Sequence, residues 1–270
     1  MNETLFKKYN IPVPRYTSYP TANEFKPFDA EQYLKAVESS NNATADNISF
    51  YIHVPFCRHL CHYCGCNSVA MAKPDRITEY FETLHKEIDL LLPHLRKDRR
   101  ISQIHYGGGS PSSMPLPLIR GVNEHLLSAF ETIENPEIAI ECHPGYLKAE
   151  DWHYLLGSGF NRFSLGIQDF NADVLHTVNR HPSLLPVAEI MDILRKGGAK
   201  VNFDFIYGLP KQSVSAFVST IKKAISLRPD RLVTFSYAHL PSLFKRQQIL
   251  EKAGLPLQNE KLEILIYKSS

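Results

Sequence analysis

The sequence predicts an α/β fold in which helices cover a parallel β-sheet. Apolar runs with the composition of strands recur about every 25 to 35 residues, and segments with helical spacing separate them. Six strands that alternate with five helices are typical of consecutive β/α units. The predicted strands are 48–56, 102–109, 137–144, 162–168, 201–210 and 231–240. The predicted helices are 75–92, 115–130, 149–157, 183–197 and 213–227.

Composition and charge place the chain among globular proteins. Its 270 residues are 43% hydrophobic and 21% charged, which suits one large domain with or without a small appendage. The net charge is +2 and the basic residues are scattered along the sequence. This pattern predicts neither a basic patch that would bind nucleic acid nor a basic face that would bind a membrane surface. No apolar run reaches the roughly 18 residues of a membrane span, and the N-terminus lacks the apolar core of a secretory signal. We therefore expect a cytoplasmic monomer with neither nucleic-acid nor membrane partners.

The first 47 residues differ from the rest and are predicted to form an N-terminal arm. Four prolines stand among aromatic residues in this stretch, an arrangement too irregular for a long strand or helix. A short helix over 30–39 and a polar linker precede the first strand. We expect the arm to lie over another part of the molecule.

Polar and reactive residues cluster where the predicted strands end. Four cysteines follow the first strand, three glycines end the second, Glu141 ends the third, and Gln168 and Asp169 end the fourth. The carboxyl ends of parallel strands meet at one face of the sheet, and ligands bind there. These side chains are therefore expected to share one site.

The segment from His53 to Cys66 holds four of the five cysteines. Disulfides are rare in a reducing compartment, and an odd number of cysteines cannot pair completely within one chain. Three of the cysteines have the spacing C-x3-C-x2-C, which suits a [4Fe–4S] cluster held by three thiolates with one iron open. A zinc site needs a fourth ligand, for which Cys66, His59 or His62 is available. Both kinds of metal site remain open from these residues alone.

Six segments of the chain stand in an order typical of a known family. They are YIHVPFCRHLCHYCGC, GGGSP, FNRFSLGIQDFN, VNR, DFIYGLPKQ and PDRLVTFSYAHLP. The chain resembles in these segments the radical S-adenosylmethionine superfamily and, within it, the oxygen-independent coproporphyrinogen III oxidases, also called dehydrogenases. The N-terminal KYNIPVPRYTSYPTA is similar to the arm of that family. The resemblance implies a partial (β/α)6 barrel over 48–243 that follows the arm of 1–47.

Members of this family continue past the position of Ser270 into a helical C-terminal domain. The resemblance therefore implies that this chain is truncated at its C-terminus, with 244–270 as the start of the absent part. Leu262, Leu265 and Ile266 have the spacing of an apolar helix face in this stretch.

The resemblance also assigns site residues. Cys57, Cys61 and Cys64 are expected to hold a [4Fe–4S] cluster with one iron open to S-adenosylmethionine, and Cys66 marks the family without being a ligand. The expected cofactor-binding residues are Tyr51, Tyr63, Gly108, Gly109, Ser110, Glu141, Gln168, Arg180, Asp204 and Ala238.

Residue chemistry suits several of these expected contacts. Without a Cβ, Gly109 lets the backbone approach the methionine end of the cofactor, although a turn at a strand end would look similar. The family uses the position of Arg180 for the methionine carboxylate, which suits a bidentate guanidinium. It uses the positions of Gln168 and Asp204 for the ribose hydroxyls, whereas the alternative is a pair of satisfied core residues.

The family binds a second S-adenosylmethionine near the first, and Tyr51, Gly108 and Glu141 are expected at that boundary. The implied reaction is the oxidative decarboxylation of coproporphyrinogen III propionates to vinyl groups, which gives protoporphyrinogen IX in anaerobic heme biosynthesis. A flavodoxin-type electron donor is the implied partner, and Arg15 is a candidate contact for a substrate carboxylate. Two alternatives are a truncated chain that binds cluster and cofactor without turnover and a zinc protein on a similar scaffold.

The stretch ECHPG departs from the family pattern at Cys142 and His143. Side chains alternate between the two faces of a strand, so Cys142 is expected on the face opposite Glu141. Cys142 is therefore predicted to be a buried structural thiol rather than a ligand.

Overall fold

The computed structural model of the chain describes residues 24–42 and 46–255, together with positions 4 and 8. The predicted arm up to residue 23, including Arg15, lies outside the described residues, and so does the predicted C-terminal helix that contains Leu262.

Six parallel strands form one sheet, and their order in the sheet follows their order in the chain. A second sheet of two short parallel strands, Phe56–Cys57 and Val69–Ala70, closes the base of the segment that carries the four cysteines. Because the strand order never reverses, right-handed crossovers put the connecting helices on one face, and the sheet curls into the predicted partial barrel. The strands are β1 Asn47–Val54, β2 Phe56–Cys57, β3 Val69–Ala70, β4 Arg100–Gly108, β5 Thr132–Cys142, β6 Arg162–Gln168, β7 Lys200–Tyr207 and β8 Arg231–Ser236.

The five helices predicted between the strands are present, and the described residues contain three further helices. The helix predicted over 30–39 is confirmed, and Asp29 begins it with a capping box that it shares with Gln32. Within the described ranges, no helix has the length and apolar composition that crossing a membrane requires. The helices are α1 Ala30–Ser39, α2 Pro74–Leu91, α3 Leu116–Ala129, α4 Ala149–Gly157, α5 Ala172–Thr177, α6 Val187–Lys196, α7 Val214–Ser226 and α8 Gln248–Glu251.

Several predicted boundaries were wrong for identifiable reasons. Strand β5 begins at Thr132 rather than at 137, because the chain resumes its pairing with β4 after an irregularity that accommodates Pro136. Helix α6 begins after Pro186 rather than at 183. Strand β8 ends at Ser236 rather than at 240, since the chain then turns away from β7.

Alternation along the strands separates the core from the concave face of the sheet. In β7, Phe203 and Phe205 are fully buried, while Asp204 and Ile206 between and beyond them line a cavity. Burial of a side chain such as Phe203 contributes about 1.5–3 kcal/mol to folding. Strand β6 repeats the arrangement, so the outer face packs under the helices and the inner face presents polar groups.

Candidate active site

A cavity of about 490 Å³ opens where the strands end, and it brings together residues far apart in the chain. Tyr51 and Ala238 are the two predicted site residues that do not line it. Those that line it are Cys57, Cys61, Cys64, Tyr63, Gly108, Gly109, Ser110, Glu141, Gln168, Arg180 and Asp204.

Residues 57–68, named here the cysteine loop, connect β2 to β3. Pairing of Phe56 with Val69 and of Cys57 with Ala70 brings the ends of this loop together. Cys57, Cys61, Cys64 and Cys66 are all free thiols, as is Cys142. The loop therefore presents four unbridged sulfur atoms beside the cavity.

The thiols of the cysteine loop differ in acidity. The Cys64 sulfur accepts a hydrogen bond from the Cys66 thiol and a second one, of 3.4 Å, from the Cys66 N–H. These bonds lower the pKa of Cys64 to about 6, and the charges of Arg246 and Arg180 lower it further. The pKa of Cys66 is raised because its thiol donates to Cys64. Burial, followed by repulsion from Cys64 and Cys61, raises the pKa of Cys57 to about 11. This environment favours the thiolate of Cys64, the form that binds metals, and the Cys66 N–H donates to its sulfur.

The two histidines considered as zinc ligands contact other groups. His59 Nδ1 lies 2.8 Å from the Tyr146 hydroxyl, and His62 Nδ1 lies 3.4 Å from the Thr177 carbonyl oxygen. Across the described part of the chain, no three His, Cys, Asp or Glu side chains converge as they would around a single metal ion. His59 and His62 therefore each contact an oxygen outside the cysteine loop.

Arg180 connects the end of β6 to the cysteine loop. Its guanidinium is buried and donates to the Gly166 carbonyl, to the Tyr63 hydroxyl at 3.3 Å and to the Cys61 sulfur at 3.6 Å. Burial alone lowers the pKa of Arg180, but Tyr63 and Cys61 outweigh it, so the pKa lies above its ordinary value. A permanent positive charge therefore stands beside the thiols.

Two glycines at the end of β4 allow the cysteine loop to approach the sheet. Gly108 has a φ of 116°, a left-handed conformation that suits glycine. A Cβ on Gly109 would lie 2.5 Å from the Pro55 carbonyl oxygen and 3.0 Å from the Cys57 sulfur. Only a bare backbone therefore fits between β4 and Cys57.

Two carboxylates line the cavity, and each has a polar neighbour. Glu141 lies 3.3 Å from His105 Nε2, and Asp204 accepts a hydrogen bond of 2.9 Å from Asn202. Burial raises the pKa of Asp204, and Glu141 adds to the shift. Gln168 has a φ of 66°, which is rare for a residue with a side chain and is typical of a strained functional position.

The two predicted residues outside the cavity wall still lie close to it. Tyr51 is 59% exposed and stacks on His105 with ring centroids 5.9 Å apart, beside Gly107 and Glu141. The Ala238 carbonyl accepts a hydrogen bond of 3.3 Å from Gln247.

Some residues of the site had no signal in the sequence that assigned them a role. In the sequence, His143 stands out only as a departure from the family pattern, and Asn179 only as the central residue of the VNR motif. His143 Nδ1 accepts from the Gly145 N–H at 3.0 Å, so Nε2 carries the proton, and this buried donor has no partner among the described residues. Cys142 is 4% exposed and packs in the hydrophobic core, which confirms its predicted burial, and it also borders the cavity.

The wall of the cavity fits a polar ligand next to a metal cluster. The Asn202 Oδ1 acceptor is also buried without a partner in the described structure, and an unmet polar atom costs about 1–3 kcal/mol. Both His143 and Asn202 line the cavity, so the wall contains an unmet donor and an unmet acceptor. Three thiols spaced for a cluster, a glycine backbone against Cys57 and these polar atoms fit a [4Fe–4S] cluster with S-adenosylmethionine beside it.

Comparisons with known proteins agree with this geometry. The model of the radical SAM superfamily matches residues 51–224. The oxygen-independent coproporphyrinogen III oxidases of Salmonella typhimurium and Escherichia coli K12 are 40% and 39% identical over 263 residues, which make up 97% of this chain and 57% of each relative. The solved structure of coproporphyrinogen III oxidase from Escherichia coli has a TM-score of 0.88 at 36% identity, covering 98% of this chain and 59% of that one. The chain thus spans a little over half the length of these relatives.

Proposed function

Because this chain belongs to the radical S-adenosylmethionine superfamily, we propose that it carries out the oxidative decarboxylation of coproporphyrinogen III propionates to vinyl groups, giving protoporphyrinogen IX. The observation that carries the proposal is the convergence of the cysteine loop, the glycine turn and the polar strand ends on one cavity. The similarity to coproporphyrinogen III oxidases over 97% of the chain supports this choice of substrate.

Cys57, Cys61 and Cys64 would hold a [4Fe–4S] cluster as thiolates, leaving one iron for the amino and carboxylate groups of S-adenosylmethionine. When bound, the reduced cluster and S-adenosylmethionine supply the 5′-deoxyadenosyl radical on which reactions of this superfamily depend. Cys66 would donate to the Cys64 sulfur rather than bind iron, and the 3.4 Å hydrogen bond from the Cys66 N–H to that sulfur supports this role.

Side chains of the cavity wall would bind and orient the cofactor. Arg180 would meet the methionine carboxylate as a bidentate donor. Asp204 would accept from the ribose hydroxyls, and Gln168, held in a left-handed conformation, would bind beside it. The main chain of Gly109 and Ser110 would contact the methionine end, and the Ala238 carbonyl and Tyr63 would complete the pocket.

A second S-adenosylmethionine would bind next to the first. Tyr51, Gly108 and Glu141 lie together at the edge of the cavity, with both Tyr51 and Glu141 atoms within 3.0 Å of a Cβ built on Gly107. This closeness supports their expected place at the boundary between the two cofactors.

The substrate brings four carboxylates, which require positive groups around the cavity. Arg58 and Arg231 line it and supply such groups, and the Arg58 guanidinium lies over the Tyr146 ring at 5.1 Å. Exclusion of water by these side chains would protect a radical from unwanted reactions.

We propose a monomer that receives electrons from a flavodoxin-type donor and has no nucleic-acid or membrane partner.

Anaerobic reconstitution with iron and sulfide tests the first part of the proposal. We expect a brown protein with about four irons that cleaves S-adenosylmethionine when it is reduced. A protein that takes up one zinc and no sulfide would contradict it.

The substrate is tested by adding coproporphyrinogen III, from which we expect a vinyl product. Cleavage of the cofactor without that product would favour a protein that binds cluster and cofactor but does not turn over.

A further inference from the structure

The segment 244–247, which follows β8, contacts the cysteine loop with three of its side chains. Arg246 Nε donates to the Cys64 carbonyl oxygen at 3.1 Å, and Gln247 Nε2 donates to the Tyr63 carbonyl oxygen at 3.0 Å. The Phe244 ring lies so close to Gly65 that a Cβ there would be 3.1 Å from it. These contacts come from outside residues 51–224, the part of the chain that the superfamily model matches.

Gln247 is held firmly enough to act as a support. The side chain is 1% exposed, its Oε1 accepts from the Leu240 N–H at 2.6 Å, and its Nε2 also donates to the Ala238 carbonyl oxygen. Both ends of the amide are therefore fixed by main-chain groups. A fixed amide defines the position of the Tyr63 carbonyl, and with it the spacing between Cys61 and Cys64.

Arg246 adds a charge to this support. It is half-buried, and no carboxylate in the described part of the chain forms an ion pair with it. Its hydrogen bond to the Cys64 carbonyl keeps the cation next to a residue that the proposed function assigns to the cluster. A charge at this depth is screened less than one at the surface.

We propose that Arg246 and Gln247 are positioning residues of the cysteine loop, and that the charge of Arg246 raises the reduction potential of the cluster held there. The inference rests on the proposed function. On reduction the cluster gains one electron from an external one-electron donor, which is oxidised by one electron. The cluster becomes more negative by one charge, so a fixed cation beside it favours the reduced state.

Arg246→Gln removes the charge, Arg246→Lys keeps it, and Lys245→Gln is the matched control because it removes an exposed neighbouring charge. The readout is the midpoint potential of the reconstituted cluster, measured by titration with detection by electron paramagnetic resonance. For Arg246→Gln we expect a shift to more negative potential that corresponds to about a tenfold weaker reduction equilibrium, or 59 mV for one electron. Arg246→Lys should stay near the parent protein, and Lys245→Gln should shift much less.

The proposed role of Gln247 in holding the cysteine loop is tested by a separate measurement, the rate at which a chelator removes iron. Gln247→Glu keeps the acceptor for Leu240 but loses the donor to Tyr63, and we expect iron to be released to a chelator about tenfold faster than from the parent protein. An unchanged release rate would overturn this part.

Equal potentials in Arg246→Gln and Lys245→Gln would overturn the role of the charge. A shift in Arg246→Lys as large as in Arg246→Gln would do the same, since it would attribute the effect to the hydrogen bond. If Arg246→Gln does not fold, the comparison of Arg246→Lys with Arg246→Met decides instead. Failure of the parent protein to bind a cluster would contradict the proposed function and the charge effect with it, whereas equal potentials in a protein that does bind a cluster would contradict this inference alone.

Discussion

The cavity has two walls that are held in place by different means. Main-chain pairing fixes the strand wall, where Glu141 lies opposite Ser164 and Gly166 lies opposite Asp204 in a continuous parallel sheet. The cysteine loop has no such ladder beyond the two residue pairs at its base. Three of its carbonyls, those of Leu60, Tyr63 and Cys64, instead accept hydrogen bonds from side chains far away in the chain. The donors are Asn179, Gln247 and Arg246, respectively.

Because of this difference, residues of the strand wall act mainly by contacting the ligand, whereas the supports of the cysteine loop act by holding the loop in position. A substitution on the strand wall changes a group that faces the ligand, because the ladder keeps the backbone where it is. A substitution among these side-chain supports is expected to move the cysteine loop itself, since the carbonyl concerned would lose its side-chain donor. We therefore expect substitutions of residues outside the cavity to affect function more when those residues support the cysteine loop than when they lie behind the strand wall.

The largest effect is expected from the thiols of the loop. Cys61→Ser replaces a soft thiolate ligand by a hydroxyl, and bound iron after reconstitution should fall from about four to almost none. Cys142→Ala is the control, because this thiol is in the core next to Ile140 and outside the loop. It should keep its iron. Iron and sulfide assays measure both, and full iron in Cys61→Ser would contradict the assignment of the loop as the cluster site.

A smaller effect is expected where the two walls meet. Gly109→Ala brings a Cβ to 2.5 Å from the Pro55 carbonyl oxygen, a main-chain atom that cannot rotate away. We expect the free energy of unfolding to fall by about 1–3 kcal/mol and the iron content to fall with it. Gly157→Ala is the control, since a Cβ there meets nothing within 4 Å at the end of α4.

Gly157→Ala should leave stability unchanged or raise it by up to about 1 kcal/mol, because alanine suits a helix better than glycine does. Urea denaturation measures both variants. Equal stability of the two would show that the glycine turn does not constrain the loop.

Local patterns explain why most of the strand wall could be predicted from the sequence. Apolar runs identified β6 and β7, and the geometry of parallel strands then placed Gln168 at the face where ligands bind, whereas Asp204 was assigned to the site only by the resemblance to the family. Alternation of side chains along β5 placed Cys142 in the core. Strands β2 and β3 escaped prediction because two residues each are too few to show a period.

The supports of the cysteine loop could not be predicted for a different reason. Gln247 lies 184 positions from Tyr63 in the chain, and a glutamine in a polar stretch carries no mark of burial. Asn179 has a φ of 57° and reaches Leu60 across 119 positions. Such contacts arise only when the barrel brings distant loops together.

The smallest expected effect concerns a buried group of the strand wall and follows from pH. Burial first, and then the nearby charges of Arg180 and His181, lower the pKa of His143 to about 2. In the unfolded chain a histidine has a pKa of about 6.5, so below that pH the unfolded state binds one more proton than the folded state. The contribution of His143 to stability is therefore complete above pH 6.5 and decreases as the pH falls.

His143→Asn should remove this dependence while it keeps an acceptor for the Gly145 N–H. Between pH 6 and pH 5 the parent protein should lose about 1 kcal/mol more of its free energy of unfolding than His143→Asn does. His153→Asn, at an exposed position of α4, should lose as much as the parent. Urea denaturation at the two pH values measures the difference. Equal losses in all three proteins would mean that His143 binds its proton over the same pH range in the folded protein as in the unfolded chain, and that the strand wall accommodates the added charge.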